Sequence, residues 1–440
     1  MQSVQPKNGP GMTVAACLWL GLFPLLQCGT YAHITHDKWV FMLILSGATL
    51  LCFLADLCLK RAAFSRRALI PLAVAGVLAL WTALSCFCGG SGPETWWLGE
   101  NARMEGLASQ LCYFALFCLF LCSRVKREPV LLAAAAGLVF FGVIVLLQRG
   151  GGNPLGLYPA GRSFQRNKEF QGTIGNVDMG TGYLLLLAGL FLYSALERLP
   201  ILKARGDAPD KAPKSGWELP VAAACVVSFL FAVYLIITMD VQFGAVSLGI
   251  LAVYTLLRFL PRKWRLPVFV LLVVLVLAVV WFWPGYGGGV WELHEILRGR
   301  ARLSFGSNRL AVWAFSLRLA GESLLLGGGS GTFAARFNQY IAAHGLAVPS
   351  SQDGRTLPSY FDNPHNEYIA QLVDHGLPAL LLFAGLLLLS LFRRREGWFP
   401  LLSPCSAAVL CYAVQAFFSF SVCIVAPMFW VILTLSFRDP

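Results

Sequence analysis

The chain has 440 residues, of which 57% are hydrophobic and 13% charged; a soluble domain carries about twice that charged share. This composition excludes an ordinary soluble enzyme and predicts an all-α, polytopic integral membrane protein. The net charge of +12 is spread between apolar windows, so it reads as a signal of membrane orientation and excludes nucleic acid as a partner.

Apolar windows near the ~20 residues needed to cross a bilayer follow one another along the chain. They fall at about 12–32, 39–59, 68–88, 105–122, 129–147, 178–196, 217–238, 243–259, 266–284, 376–392, 399–416 and 420–437. The pattern predicts about 12 transmembrane helices in a single membrane domain, 1–440. The first window follows a polar start without a small-residue cleavage site, so it reads as a retained helix. With the N-terminus inside, 21 of the 34 basic residues fall in cytoplasmic segments, and the short outward loops hold only Lys38 and Arg103. Both termini are therefore expected in the cytoplasm. The 13 cysteines lie mainly in the windows, show no CxxC pair and read as small packing residues.

Two outward segments break the charge rule. The first, 148–177, carries Arg162, Arg166 and Lys168, a basic loop suited to an anion. It ends at Gly175-Asn176, a turn that lets the sixth helix begin. The stretch 203–216, "KARGDAPDKAPKSG", reads as a cytoplasmic linker. The second, 285–375, is long enough for a small cap before the tenth helix. Within it, "NRLAVWAFSLRLAGESLLLG" puts Leu310, Trp313, Ala314, Leu317 and Ala320 at helical spacing, which predicts an amphipathic helix at the outer surface. Arg309 and Trp313, four apart, share a face of it. Guanidinium is permanently charged and its fork of donors fits phosphate oxygens.

Further on, "GGGSGTF" places Gly327, Gly329 and Gly331 at alternate positions, which permits tight turns and close approach of a ligand or helix. In "DNPHNEYIAQLVDHGLP", Asp362 or Asn363 caps a helix with Pro364 in its first turn. His365, Tyr368, Ile369, Leu372 and Gly376 then share one face, and Gly376 and Pro378 interrupt the helix before the leucine-rich span. An imidazole at that interface can accept a proton from an alcohol, or equally serve a structural hydrogen bond. Earlier in the chain, Arg103 and Glu105 of "NARMEGL" read as a local ion pair.

Together these pieces resemble the O-antigen ligase and polymerase family of bacterial envelope glycosyltransferases. The resemblance rests on His365-Asn366, nine residues, then Gly376, with Asp374 at the acidic place two before the glycine. It rests also on Arg309 to Trp313 followed by Gly327, Gly329, Gly331, Thr332 and Phe333, on Gly175-Asn176, and on Arg103 to Leu107. One departure stands out. Where the family has Ser-Arg-Gly at the outward join of the seventh and eighth helices, this chain has Gln242-Phe243-Gly244. Arg162, Arg166 and Lys168 of the neighbouring loop are the candidates to stand in for the missing arginine.

The resemblance implies a metal-independent, GT-C-like glycosyltransferase of the bacterial cytoplasmic membrane, without cofactor and monomeric, in cell-envelope polysaccharide biosynthesis. Its donor would be a glycan on undecaprenyl diphosphate and its acceptor a hydroxyl of a glycan or lipid, outside the bilayer. Arg309 and His365 would be catalytic. Arg162, Arg166, Lys168, Trp313, Asn366 and Asp374 would bind substrate, and Gly175, Asn176, Gly327, Gly329, Gly331 and Gly376 would be structural. Ligase and polymerase are not separated by these motifs. A solute carrier and a non-catalytic relative are the alternatives; a carrier would need charge buried within its spans, for which Asp56 and Asp240 are the weak candidates.

Overall fold

Within hydrocarbon a chain must satisfy every backbone N–H and C=O itself, which leaves apolar stretches of this length only the helix. A computed structural model describes residues 9–61, 68–100, 103–198, 218–346, 348, 360–392 and 402–438. The linker expected at 203–216, and residues 349–359 of the second outward segment, lie outside them.

The helices are α1 Pro10–Cys17, α2 Ile34–Cys58, α3 Leu69–Cys88, α4 Pro93–Leu98, α5 Leu107–Leu121, α6 Arg127–Arg149, α7 Val177–Arg198 and α8 Glu218–Met239. They continue with α9 Gln242–Phe259, α10 Arg262–Trp281, α11 Gly288–Leu297, α12 Arg309–Glu322, α13 Phe333–Ala343, α14 Glu367–Phe392, α15 Pro404–Gln415 and α16 Ala426–Ser436. Among the described residues, eight helical segments, those containing α2, α3, α6, α7, α8, α9, α10 and α14, are long and apolar enough to cross a membrane. Four more are apolar but shorter: Pro10–Leu25, α5, α15 and α16. Among the described residues the fold is all-helical apart from one small antiparallel pair, β1 Phe170–Gln171 and β2 Gly175–Asn176, with Phe170 opposite Asn176 and Gln171 opposite Gly175.

At the centre lies α7, packed against α8 and α15 and buried along almost its whole length. By contrast α10 buries only 6% of its apolar window, so its valines and leucines face outward, as lipid contact requires. Two apparent liabilities are resolved by capping. Lys38, placed by its charge in an outward loop, is fully buried, and its Nζ donates to the carbonyls of Phe23 (2.9 Å) and Pro24 (2.8 Å) where the first apolar helix ends. The Asp56 carboxylate accepts from the backbone N–H of Gly11 (3.1 Å) and Met12 (2.8 Å) at the start of α1.

Within the second outward segment, α12 and α13 form a small cap with a hydrophobic cluster of its own. Val312, Phe315 and Leu319 pack there with Phe333, Phe337 and Val373. Of the face that its spacing suggested, Ala320 is buried in that cluster and Trp313 and Ala314 pack against it, whereas Leu317 is exposed; the Trp313 indole N–H also reaches a partner outside the cluster. The break expected at Gly376 is present: the helical run α14 begins at Glu367 and is interrupted at Gly376 (φ 80°, ψ 177°), two residues before Pro378, so the leucine-rich span follows the kink. The kink frees the N–H of Leu377, which donates to Leu324 O at 2.8 Å.

Candidate functional site

His365 is not inside a helix. Asn363 Oδ1 accepts from the His365 N–H at 2.8 Å, an Asx turn that holds His365 in the left-handed region at φ 48°. The N-cap of α14 falls to Asn366, whose Oδ1 accepts from the Ile369 N–H at 3.0 Å. The expectation that Pro364 occupies a first helical turn is thus corrected. The Pro364 carbonyl accepts instead from Trp313 Nε1 at 2.8 Å, and that bond ties the His365 turn to α12.

Arg309 opens α12, just after Asn308 at φ 70°. A cation is badly placed there with respect to the helix dipole, so something else must hold it. Its guanidinium lies over the ring of Phe243, 4.7 Å from the centroid. Phe243 in turn stacks on Phe418, centroids 4.2 Å apart and planes at 3°, and Trp313 tilts against the same Phe418 at 6.2 Å. Among the described residues Arg309 Nε and His365 Nδ1 are buried atoms without a hydrogen-bond partner.

A second cation stands on the other side of the histidine. Arg103 forms an ion pair with Asp362 and lies 4.4 Å from the centroid of Phe420, whose ring also meets His365 edge-on at 5.2 Å. The local Arg103–Glu105 pair expected from sequence does not form. Met104, at φ 56°, turns the backbone between them, and Glu105 accepts instead from Tyr113 Oη at 2.8 Å. Phe418 and Phe420 are two apart in the join between α15 and α16: Phe420 faces Arg103 directly, whereas Phe418 backs the Phe243 ring that faces Arg309. Arg103, Glu105, Asp362, Asp374, His375 and Phe420 line an open cleft of about 660 Å³ beside the His365 turn. In it, His375 Nε2 sits 2.9 Å from Ser330 Oγ, and its Nδ1 lies 3.1 Å from Gln371 Oε1.

The electrostatics follow from this crowding. Burial first, and then the positive charge of Arg309, push the His365 imidazole down to about 4, with Asp362 opposing and Arg103 assisting. His365 is accordingly neutral at neutral pH. Burial also lowers the Arg309 guanidinium, while Asp178 at the start of α7 opposes that shift. The Glu105 carboxyl is pushed up to about 8, mainly by burial.

The alternate glycines let the loop approach neighbouring backbone closely. Gly327, Gly329 and Gly331 have φ of 67°, 96° and 66°. The loop docks on α14 through Gly328 N to Val373 O (3.1 Å) and Gly329 N to Asp374 O (2.7 Å). A Cβ on Gly327 would stand 2.4 Å from the Asp374 backbone, and one on Gly376 would stand 2.0 Å from Leu325 O. Gly175 has φ 87°, and the Asn176 side chain accepts from the Asp178 N–H at 2.8 Å, opening α7.

The structure brings Arg309, Trp313, His365, Asn366 and Asp374 into one region. The Arg162, Arg166 and Lys168 side chains are exposed, and the Arg166 guanidinium donates to Gly161 O at 3.0 Å. Sequence reasoning missed Phe243, Phe418 and Phe420. The signal available was a phenylalanine beside a helix break, and two more alternating with Ser419 and Ser421. Of the two weak carrier candidates, Asp56 is occupied in capping α1, and Asp240, at φ 57°, lies in the turn between α8 and α9.

Residues 226–384 match the family model described as O-antigen ligase, a stretch that includes Phe243, Arg309, Trp313, the glycine loop and the His365 turn. No curated protein matches the chain.

Proposed function

We propose, from the match of residues 226–384 to the O-antigen ligase family model, that the Arg309–His365 region transfers a glycan from undecaprenyl diphosphate to an acceptor hydroxyl at the outer face of the bacterial cytoplasmic membrane. Twelve membrane crossings with both termini cytoplasmic, and a monomeric enzyme, belong to the same proposal.

One juxtaposition carries it. A permanent cation and a neutral imidazole are tied together through Trp313 and Pro364, and each leaves a buried nitrogen unpaired. In the transfer, the acceptor oxygen forms a bond to the anomeric carbon while the bond from that carbon to the diphosphate oxygen breaks. The leaving electron pair stays on the diphosphate, where Arg309 stabilises the growing charge. The acceptor proton passes to His365. Charge neutralisation links the two residues: an anion on Arg309 removes part of what depresses the His365 pKa, so donor binding makes the imidazole a better base. The diphosphate grip assigned here rests on Arg309, with Arg103 the next cation; Arg162, Arg166 and Lys168 stand exposed in the loop before α7.

The test is the size distribution of lipid-linked glycan in cells lacking the protein, complemented with wild type or with His365→Ala. Carrier-linked material that accumulates and is not cleared by His365→Ala is the expected result; single repeats would identify a polymerase and full-length chains a ligase. An unchanged glycan profile would overturn the proposal.

A further inference from the structure

Arg309 poses a positioning problem. Its helix dipole repels it, no carboxylate comes within ion-pair distance of it among the described residues, and its guanidinium donates no hydrogen bond among them. An arginine side chain left to itself samples many rotamers and is a poor template for a diphosphate. What touches it is the face of Phe243. We propose that Phe243, backed by Phe418, is the positioning residue that holds the Arg309 guanidinium toward the donor diphosphate; this rests on the assignment of Arg309 to that group.

The backbone is built to deliver that ring. Asp240, at φ 57°, turns the chain out of α8. Gly244 then lets α9 close in, since a Cβ there would lie 2.7 Å from Ile236 Cγ2 and 2.8 Å from Thr181 Cγ2. Between these two points Phe243 is set parallel to Phe418 at 3°, which leaves the ring little freedom. A ring has one advantage over a carboxylate as a partner for this arginine. A carboxylate would occupy N–H donors and cancel the charge. A π-face attracts the cation electrostatically yet consumes no donor, so the guanidinium stays in place with its fork of N–H groups open. Asp178 supplies a mild opposing charge from farther off. Its distance keeps it from competing with a bound anion.

The experiment measures binding of radiolabelled farnesyl diphosphate, a short isoprenyl diphosphate, to the full chain in lipid nanodiscs. Transfer from extracted lipid-linked glycan is measured in parallel. Phe243→Leu keeps the apolar bulk and removes the ring, and it should weaken binding roughly 2- to 30-fold, the range of a cation–π contact. Phe243→Tyr should restore wild-type affinity. In transfer, the loss should appear in KM for the donor and in kcat, with KM for the acceptor unmoved. Wild-type binding by Phe243→Leu overturns the proposal, and so does a Phe243→Tyr variant as weak as Phe243→Leu, since that would make packing, not the ring, the cause. If Phe243→Leu cannot be recovered folded, Phe418→Leu must show a smaller loss of the same kind; full affinity there overturns the proposal equally. Arg309→Ala separates the two levels of inference. Unchanged binding by that variant removes the diphosphate role of Arg309 itself, whereas loss with Arg309→Ala and none with Phe243→Leu removes only the positioning role.

Discussion

The Trp313 indole N–H donates to the Pro364 carbonyl at 2.8 Å, and across this bond the helix that begins with Arg309 meets the turn that presents His365. The partners are 51 residues apart in sequence, so the bond registers two separate pieces of the cap against each other. Trp313→Phe keeps an aromatic ring against Phe418 but removes the donor. Its expected cost is about 1 kcal/mol in stability and roughly tenfold in kcat, because small misplacements of a catalytic group are costly. Steady-state transfer rates beside thermal unfolding check this; an unchanged kcat would mean that the two pieces hold their register without the bond.

The pH dependence has a definite sign. The His365 pKa is lowered from 6.5 to about 4 by burial and by Arg309, so the folded protein disfavours the protonated ring. The stability tied to this group is fully present above about pH 6.5 and is lost as pH falls toward 4. The same shift keeps the imidazole available as a base, so kcat/KM should stay level from pH 8 to about pH 6. A wild-type profile that halves near pH 6.5 would show an ordinary histidine and contradict this. Arg309→Gln should move the residual acid limb upward, since the Arg309 charge then no longer depresses the ring.

Gly376→Ala tests the docking of the glycine loop. At φ 80°, with Leu325 O only 2.0 Å from the position of the new Cβ, both strain and collision oppose it. The expected loss is about 3 kcal/mol or more, read as a fall in the unfolding midpoint and in the yield of folded protein. Gly385→Ala, farther along α14 with nothing within 4 Å of its Cβ position, should leave both unchanged or slightly improved.

The Arg103–Asp362 pair links α5's approach to the His365 turn over 259 residues of sequence. Both side chains are partly exposed, at 27% and 35%, so the coupling expected from a double-mutant cycle is modest, about 1 kcal/mol. Arg103→Ala and Asp362→Ala should each slow transfer, and the exchanged pair Arg103→Asp with Asp362→Arg should recover part of the rate. Strict additivity of the two single losses would show that they act independently.

Much of this was legible in the sequence, and the reasons are local. Hydropathy marks the helices because the bilayer leaves the backbone no alternative. Gly327, Gly329 and Gly331 advertise positive φ, because few other residues adopt it at alternate positions. Arg309 and Trp313 stand out by residue type and spacing. What was not legible is tertiary. Asn363 and Asn366 are both able to cap; in the fold Asn366 does so, while Asn363 holds the turn that keeps His365 outside the helix. The period of α12 marked Trp313, Ala314 and Ala320, which meet its small cluster, but not Val312 and Phe315, which the tertiary packing also buries there. Phe243 was visible only as a missing arginine; that an aromatic ring there receives Arg309 depends on a helix that starts 66 residues later.

The deep burial of α7 has a consequence for how the protein is made. Of the eight long apolar segments, α7 has among the lowest hydropathy, 1.6, and it is 89% enclosed by its neighbours. Yet one of its main partners, α15, begins at Pro404 and leaves the ribosome long after α7 does. During that interval α7 carries Asp178, Thr181, Tyr183 and Ser194 without the surface that will cover them. Membrane insertion of this chain must therefore shelter an unfinished centre, and the last two apolar helices, short as they are, complete a core laid down much earlier in synthesis.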